Sequence, residues 1–263
     1  MDVHSYIPTQ THPAIICRVI GDVVDMNDPK SHNRTNRPRL SMGAENYLLS
    51  IFRLQEQKVR VTATQLAEHL KTLPSDEGLG TSLPSVGGMI RRMVREGLVE
   101  MASNKELILT SLGNKSAKSV VRRHRLAERM VVDILGLDLK DSHIEAHRLE
   151  HAISPLLEEK IVLLLGNPTT CPFGHPIPNS GYVENKNSTS LTDAVSGKEW
   201  IIDKVPEDDQ PLLEYLISKQ LMPDHCVLVK EVSLSRGVIT IICEKNEVVL
   251  GYDVAGKIQV YPL

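Results

Sequence analysis

Apolar residues near the front of the chain recur at the spacing of amphipathic helices. The first such segment, residues 42–57, contains Tyr47, Leu48, Ile51, Phe52 and Leu54. A second helix is predicted to begin at Thr62, because Thr62 and Gln65 form a T-x-x-Q capping box. Residues 73–81 are rich in Pro, Ser, Gly and acidic side chains, which predicts a loop.

A third helix and a β-hairpin are predicted after this loop. Ser82 is the expected N-cap, Pro84 falls in the first turn, where its missing N–H costs nothing, and Gly97 ends the helix. Residues 98–101 and 107–110 are apolar segments on either side of a polar tip, the pattern of a short hairpin. Three helices followed by a hairpin form the plan of a winged helix-turn-helix.

The middle of the chain is predicted to be helical and its last part to be β-rich. Helices are expected at about residues 116–135, 142–153 and 155–165, followed by an irregular Pro- and Gly-rich segment at 166–182. After residue 200 the pattern predicts one short helix and several short strands, typical of a small barrel. The expected helix and strands cover residues 210–219, 226–232, 237–243, 247–250 and 257–260.

These elements predict a mainly α-helical protein with a small β part. The expected organisation is a poorly ordered extension (1–39), a winged helix-turn-helix (40–113), a helical domain (114–182), a polar linker (183–199) and a β-rich domain (200–263).

Composition favours a soluble protein of a reducing compartment. Hydrophobic residues make up 41% of the 263 residues, yet no stretch approaches the length of a membrane span, and no secretory signal is recognised. The four cysteines are scattered and form no C-x-x-C pair, which argues against a disulfide framework or a thiolate zinc site: Cys17, Cys171, Cys226 and Cys243. We therefore expect a cytoplasmic protein without a membrane partner.

Charge is distributed unevenly along the chain. Residues 40–130 contain 14 Lys and Arg against 9 Asp and Glu, whereas residues 131–263 contain 11 against 20. A basic N-terminal part followed by an acidic C-terminal part suits a protein that contacts nucleic-acid phosphates through one end.

The third helix is the predicted recognition helix, with its N-terminal end against base edges in the major groove. The residues expected there are Ser82, Pro84, Ser85 and Gly88, and those expected to contact phosphate are Arg91, Arg92, Arg95 and Lys105. The alternative is that the three helices are only a packing unit.

Residues 143–151 carry the most informative chemistry in the chain. His143, His147, Glu150 and His151 fall within an arc of about 100° on one helix face. The preceding helix adds His124 and Glu128, one turn apart. Divalent metals take such nitrogen and oxygen donors, so this pattern predicts a metal site. A single helical histidine is more often a surface or core residue, but here several donors share neighbouring helices.

Two alternatives remain open at this point. His147, Glu150 and His151 match H-x-x-E-H, a zinc-peptidase signature in which the Glu is a general base. Because a DNA-binding pattern precedes the motif and no large catalytic region follows it, we expect a protein that is not an enzyme. The other alternative is a constitutive winged-helix factor whose histidine cluster is structural, with zinc included.

The chain resembles the iron-dependent repressor (diphtheria toxin repressor) family over about residues 42–180. The matching stretches are Glu45-Asn-Tyr-Leu48, Arg123-His-Arg-Leu-Ala-Glu-Arg129, Ile134-Leu-Gly-Leu-Asp138, Glu145-Ala-His-Arg-Leu-Glu-His151 and Pro172-Phe-Gly-His-Pro-Ile-Pro178. The tail from about Gln210 resembles the family's SH3-like domain of ferrous-transport A type.

The resemblance implies a homodimeric repressor of metal-homeostasis genes that binds an inverted-repeat operator, with Fe²⁺ or Mn²⁺ as corepressor at two sites per subunit. One implied site consists of Asn46, His147, Glu150 and His151; the ancillary site consists of His124, Glu128 and His143, completed by Glu207 and Gln210. Family members carry Met or Asp in place of Asn46, and Cys or Glu in place of His147. The loop at residues 73–81 is also longer than usual. Since coordination needs neutral imidazole, metal-dependent DNA binding is expected to weaken below about pH 6.5.

Overall fold

A computed structural model of the protein describes residues 40–73 and 79–263. The predicted extension, residues 1–39, and the central part of the predicted long loop lie outside the described residues.

The front of the described chain is a winged helix-turn-helix, as predicted. It consists of helices α1 (Met42–Glu56), α2 (Ala63–Leu70) and α3 (Leu83–Arg95), and the antiparallel hairpin β1 (Val99–Met101) and β2 (Leu107–Leu109). One core joins α1 to α3, and its members include Tyr47, Ile51, Val86, Ile90 and Met93.

The predicted helix signals in this region are confirmed by hydrogen bonds. The Thr62 side chain accepts from the backbone N–H of Gln65, and the Ser82 side chain accepts from that of Ser85. Gly97 has a φ of 69°, a left-handed conformation that favours glycine and ends the segment after α3.

Helix α4 begins earlier than the apolar pattern predicted. It covers Ser111–Arg129 and continues into a π-helical turn at Met130–Ile134. Thr110 caps it by accepting from the N–H of Gly113, at 3.0 Å. The first turn is polar and contains a glycine, so it lacks the apolar periodicity that marks a helix in sequence. The expected domain boundary at residue 113 therefore falls inside a helix.

Helices α5 (Leu139–Glu150) and α6 (Pro155–Leu164) complete the helical body. Helix α4 packs on α1 through Leu49, Val120 and Val121. It also shares a core with α5, α6 and the irregular segment beyond them, formed by Leu126, Ala127, Ala146, Ile153, Ile161 and Ile177. Within the described residues, no helix is long and apolar enough to span a bilayer.

The C-terminal domain is a six-stranded antiparallel sheet with strand order β3-β8-β4-β5-β6-β7. Its elements are β3 (Thr189–Ser190), β4 (Glu199–Lys204), helix α7 (Gln210–Ser218), β5 (Cys226–Ser233), β6 (Val238–Cys243), β7 (Asn246–Gly251), the short helix α8 (Tyr252–Ala255) and β8 (Gln259–Pro262). Its core is built from alternating residues on one face of the sheet, such as Val227, Val229, Ile239 and Ile241, and from Leu213 and Leu216 of α7.

The prediction of a polar linker over residues 183–199 is wrong for the second half of that range. Strand β3 pairs with β8, Leu191 is 1% exposed, and β4 already begins at Glu199. Strand β3 is only two polar residues long, and its place in the sheet comes from a partner at the far end of the chain. Local sequence pattern does not carry that information.

Candidate metal centre and nucleic-acid surface

Helices α1, α4 and α5 bring the predicted ligands into one buried cluster. Asn46 comes from α1, His124 and Glu128 from α4, and the others from α5 and its C-cap: His143, His147, Glu150 and His151. None of these side chains belongs to a residue more than 7% exposed. Polar groups buried to this extent require partners, because each has lost its water.

The first predicted set converges around His151. Its Nε2 lies 2.9 Å from Asn46 Oδ1 and 3.3 Å from Glu150 Oε1. Its other nitrogen, Nδ1, lies 2.7 Å from Glu45 Oε2. Because the Glu45 carboxylate accepts a hydrogen bond, Nδ1 carries the hydrogen and Nε2 presents a lone pair. Atoms of α1 and of α5 with its C-cap therefore lie against one another at this point.

His147 adds the second observation at this set. Both of its ring nitrogens, and Glu150 Oε1, have no hydrogen-bond partner among the described residues. The His147 Nδ1 atom lies 3.7 Å from Glu150 Oε1. Buried nitrogen and oxygen atoms without partners are donors that a divalent cation takes. His147 also shares a buried group with His124 and His143 whose ligand atoms all lie within 4.8 Å of one another.

The ancillary set is assembled only in part. The His124 Nε2 atom lies 2.9 Å from Glu128 Oε1 and 3.3 Å from His143 Nδ1. Glu207 is close enough for its carboxylate to share an ion with Glu128 and His143, but it is already engaged by Arg53. Gln210 donates through Nε2 to the carbonyl oxygen of Lys140, at 2.8 Å.

Arg53 is the residue that the sequence prediction missed. Its side chain is 2% exposed, and its guanidinium donates to Glu207 Oε1 at 2.7 Å and to Asp208 Oδ1 at 2.8 Å. A single arginine near the end of an amphipathic helix suggests a solvated residue. The available signal was its spacing: Arg53 follows Asn46 by two helical turns and so shares its face.

The two sets are connected through His124. Its Nδ1 lies 2.5 Å from Glu150 Oε2, so one imidazole contacts a carboxylate of each set. The rings of His124, His143 and His147 have centroids 4.5–4.9 Å apart. Occupancy of one set therefore affects the electrostatics of the other.

Burial and nearby charge separate the histidine pKa values. Burial alone would lower the pKa of His124, but Glu128 and Glu150 outweigh it and raise this pKa to about 9. Burial lowers the pKa of His147 to about 3, with His124 and His143 adding to the effect. Burial would raise the pKa of Glu150, but the neighbouring histidines lower it. Without metal, His124 thus holds a proton between two carboxylates, while His147 stays neutral.

The raised pKa of His124 predicts how the chelated protein responds to alkali. A folded-state pKa of about 9 against 6.5 when unfolded means that this stabilisation is complete below pH 6.5 and is lost as pH rises through 9. We expect the free energy of unfolding in EDTA, measured with urea between pH 6.5 and 9.5, to fall as pH rises. His124→Gln should flatten that slope. Equal slopes for the two proteins would contradict the assignment.

The predicted DNA-contacting residues lie on the surface. Ser82, Pro84, Ser85, Arg91, Arg92 and Lys105 are exposed, and Gly88 is half-buried. Arg92 forms an ion pair with Glu96 at 2.7 Å, and Lys105 stands at the hairpin tip with a φ of 65°. The N-terminal end of α3 is thus free of covering structure in the described chain.

Family models match nearly all of the described chain. The N-terminal DNA-binding domain of iron-dependent repressors matches residues 39–107, and their metal-binding and dimerisation domain matches residues 110–179. The FeoA domain matches residues 189–262.

Individual relatives agree with these matches. The iron-dependent repressor IdeR of Mycobacterium leprae is 34% identical over 229 residues, which cover 82% of this chain and 95% of the relative. The diphtheria toxin repressor of Corynebacterium diphtheriae is 40% identical over 134 residues, 51% of this chain and 55% of the relative. A solved manganese-dependent transcriptional repressor in complex with manganese superposes with a TM-score of 0.73 at 30% identity, covering 84% of this chain and all of that one.

With a winged helix, a buried His and Glu cluster and matches to both domains of iron-dependent repressors, the chain belongs to the iron-dependent repressor family.

Proposed function

We propose that this protein is a cytoplasmic repressor of transcription that binds DNA when Fe²⁺ or Mn²⁺ occupies Asn46, His147, Glu150 and His151. The observation that carries the proposal is the two buried, unpartnered ring nitrogens of His147, with the buried Glu150 Oε1 3.7 Å from Nδ1. Relatives named as iron- or manganese-dependent repressors support the choice of ion. The genes under control would be those of metal homeostasis.

The position of Asn46 links the proposed metal site to the winged helix-turn-helix. Helix α1 shares a core with α3, so a displacement of α1 is transmitted to the recognition helix. The other three donors lie on α5 and at its C-cap, in the helical body. A bound divalent ion supplies the positive charge that holds these acceptors together. The donors favour the DNA-binding arrangement only to the extent that they bind the ion more tightly in it.

A homodimer would place two recognition helices on one operator. Helix α6 and the π-turn present large apolar side chains to solvent, within the segment matched by the dimerisation domain: Ile134, Leu135, Leu156, Leu157, Leu163 and Leu164. Leu156 and Leu163 are two turns apart and so lie on one face of α6. A two-fold dimer formed through this face would match an inverted-repeat operator.

The peptidase alternative is not favoured. His147 and Glu150 are both 0% exposed, so a peptide would have no path to a water molecule activated there. The relatives found are repressors. A constitutive factor with a structural ion differs from the proposal in its response to metal, which the first experiment below measures.

Removing the His147 and His151 donors is expected to abolish the metal response. The probe is a duplex selected from a random pool by the Mn²⁺-loaded protein, with affinity measured in Mn²⁺ and in EDTA. We expect the two affinities to differ at least about tenfold for the wild type and by less than about threefold for His147→Ala with His151→Ala. His225→Ala, in the C-terminal domain, is the control. Equal wild-type affinity in both buffers would overturn metal activation, and global unfolding of the double variant would favour a structural site.

Replacing Arg91 tests the proposed phosphate contacts. Arg91→Gln should weaken binding to selected and unrelated duplexes alike and reduce the slope of log affinity against log salt by about 1. Arg236→Gln, which removes an exposed arginine of the C-terminal domain, should leave the slope unchanged. A loss confined to the selected duplex would assign Arg91 to base reading instead.

Charging the α6 face is expected to produce monomers. Leu163→Glu should sediment as a monomer at micromolar concentration, because a carboxylate buried in an apolar interface loses its hydration. Val249→Glu alters a similarly exposed apolar residue on β7 and should sediment like the wild type. A dimeric Leu163→Glu protein would place the interface elsewhere.

A further inference from the structure

Arg53 joins the DNA-binding unit to the C-terminal domain. It lies on α1, and both carboxylates that it contacts belong to the segment just before α7. Gln57, the C-cap residue of α1, donates to Asp208 Oδ2 at 2.8 Å. The contact between the two domains at this point is therefore a charged clasp between α1 and residues 207–208.

The same guanidinium faces the ancillary histidine. Arg53 Nη1 lies 3.3 Å from His143 Nε2. Arginine only donates hydrogen bonds, so Nε2 is the acceptor and Nδ1 carries the hydrogen, which it donates to Glu128 Oε1 at 2.9 Å. A metal on Nδ1 would require the hydrogen to be on Nε2, directed at another donor. In this geometry the arginine contact and a metal on His143 Nδ1 oppose each other.

Arg53 already supplies positive charge at the ancillary set. Burial would lower the pKa of Arg53, but Glu207, Asp208, Glu128 and Glu150 outweigh burial and raise it. The guanidinium is therefore cationic throughout the range in which proteins fold. It offers the forked donor geometry that suits two neighbouring carboxylates.

We propose that Arg53 takes the place of the ancillary metal ion: it neutralises Glu207 and Asp208, holds the C-terminal domain on α1 without metal, and limits each subunit to one regulatory ion. The inference that Arg53 holds the C-terminal domain on α1 does not depend on the proposed function. The inference of one ion per subunit rests on the proposed metal site at Asn46, His147, Glu150 and His151.

The ancillary donors remain able to bind once the arginine is gone. Glu128 Oε2 and Gln210 Oε1 are buried and have no hydrogen-bond partner among the described residues. Removal of the guanidinium would free Glu207 and relieve the restriction on His143. This chain thus contains a latent second site that its own side chain blocks.

The number of Mn²⁺ ions bound per chain tests whether Arg53 blocks the ancillary site. Equilibrium dialysis of the full chain against Mn²⁺, with metal and protein quantified, should give one ion per chain for the wild type and two for Arg53→Met. Arg60→Met, which removes an exposed arginine of the same unit, should retain one ion. Two ions on the wild type would overturn the inference while leaving the proposed function intact, and no ions would overturn the proposed function itself.

Hydrogen exchange tests the clasp. In EDTA, amides of residues 205–216 should be protected in the wild type and should exchange at least about tenfold faster in Arg53→Met, with Mn²⁺ restoring their protection. If Arg53→Met fails to fold, the pair Glu207→Gln and Asp208→Asn removes the same contact from the other side and should show the same faster exchange. Wild-type protection that appears only with Mn²⁺, or unchanged exchange in the variants, would refute the clasp.

Discussion

Carboxylates buried between helices are the constraint on which the rest of this structure depends. Glu128, Glu150 and Glu207 are each no more than 3% exposed, and an isolated buried carboxylate is far too costly to keep ionised. The chain compensates them with three kinds of positive charge. Arg53 is permanent, the proton on His124 depends on pH, and the proposed ion at His147 and His151 depends on metal supply. Because each compensating group comes from a different helix, the balance of these charges adds to the apolar cores that already hold the helices together.

This arrangement explains why regulation and packing are inseparable here. Helix α1 contributes Asn46 to the proposed regulatory site, Arg53 to the clasp and Ile51 to the core under the recognition helix. Any change in charge balance therefore acts on α1, the helix that positions the recognition helix. Glu45 extends the same network, since it accepts from His151 and from Arg123 on α4. The contact with Glu45 fixes the hydrogen of His151 on Nδ1 whether or not an ion is bound.

Several features of the fold were accessible from sequence because their causes are local. The caps at Thr62 and Ser82, the stop at Gly97 and the helix face that carries His143, His147 and Glu150 depend on residues within one or two turns. Strands β3 and β4 were missed because pairing with β8 defines them. The early start of α4 was missed because a threonine cap and a glycine replaced apolar periodicity.

For this protein, the sequence alone predicted the ligand pattern on α5 and the recognition helix, and it identified the family to which the chain belongs. Periodicity, capping and motif spacing are properties of neighbouring residues, so they survive without coordinates. Tertiary structure alone decided which charges meet. It brought Arg53 of α1 against Glu207 and Asp208, more than 150 residues away, and turned an ordinary helical arginine into a buried cation. Long-range burial sets the dielectric surroundings and the partner of each charge, and no local pattern encodes either.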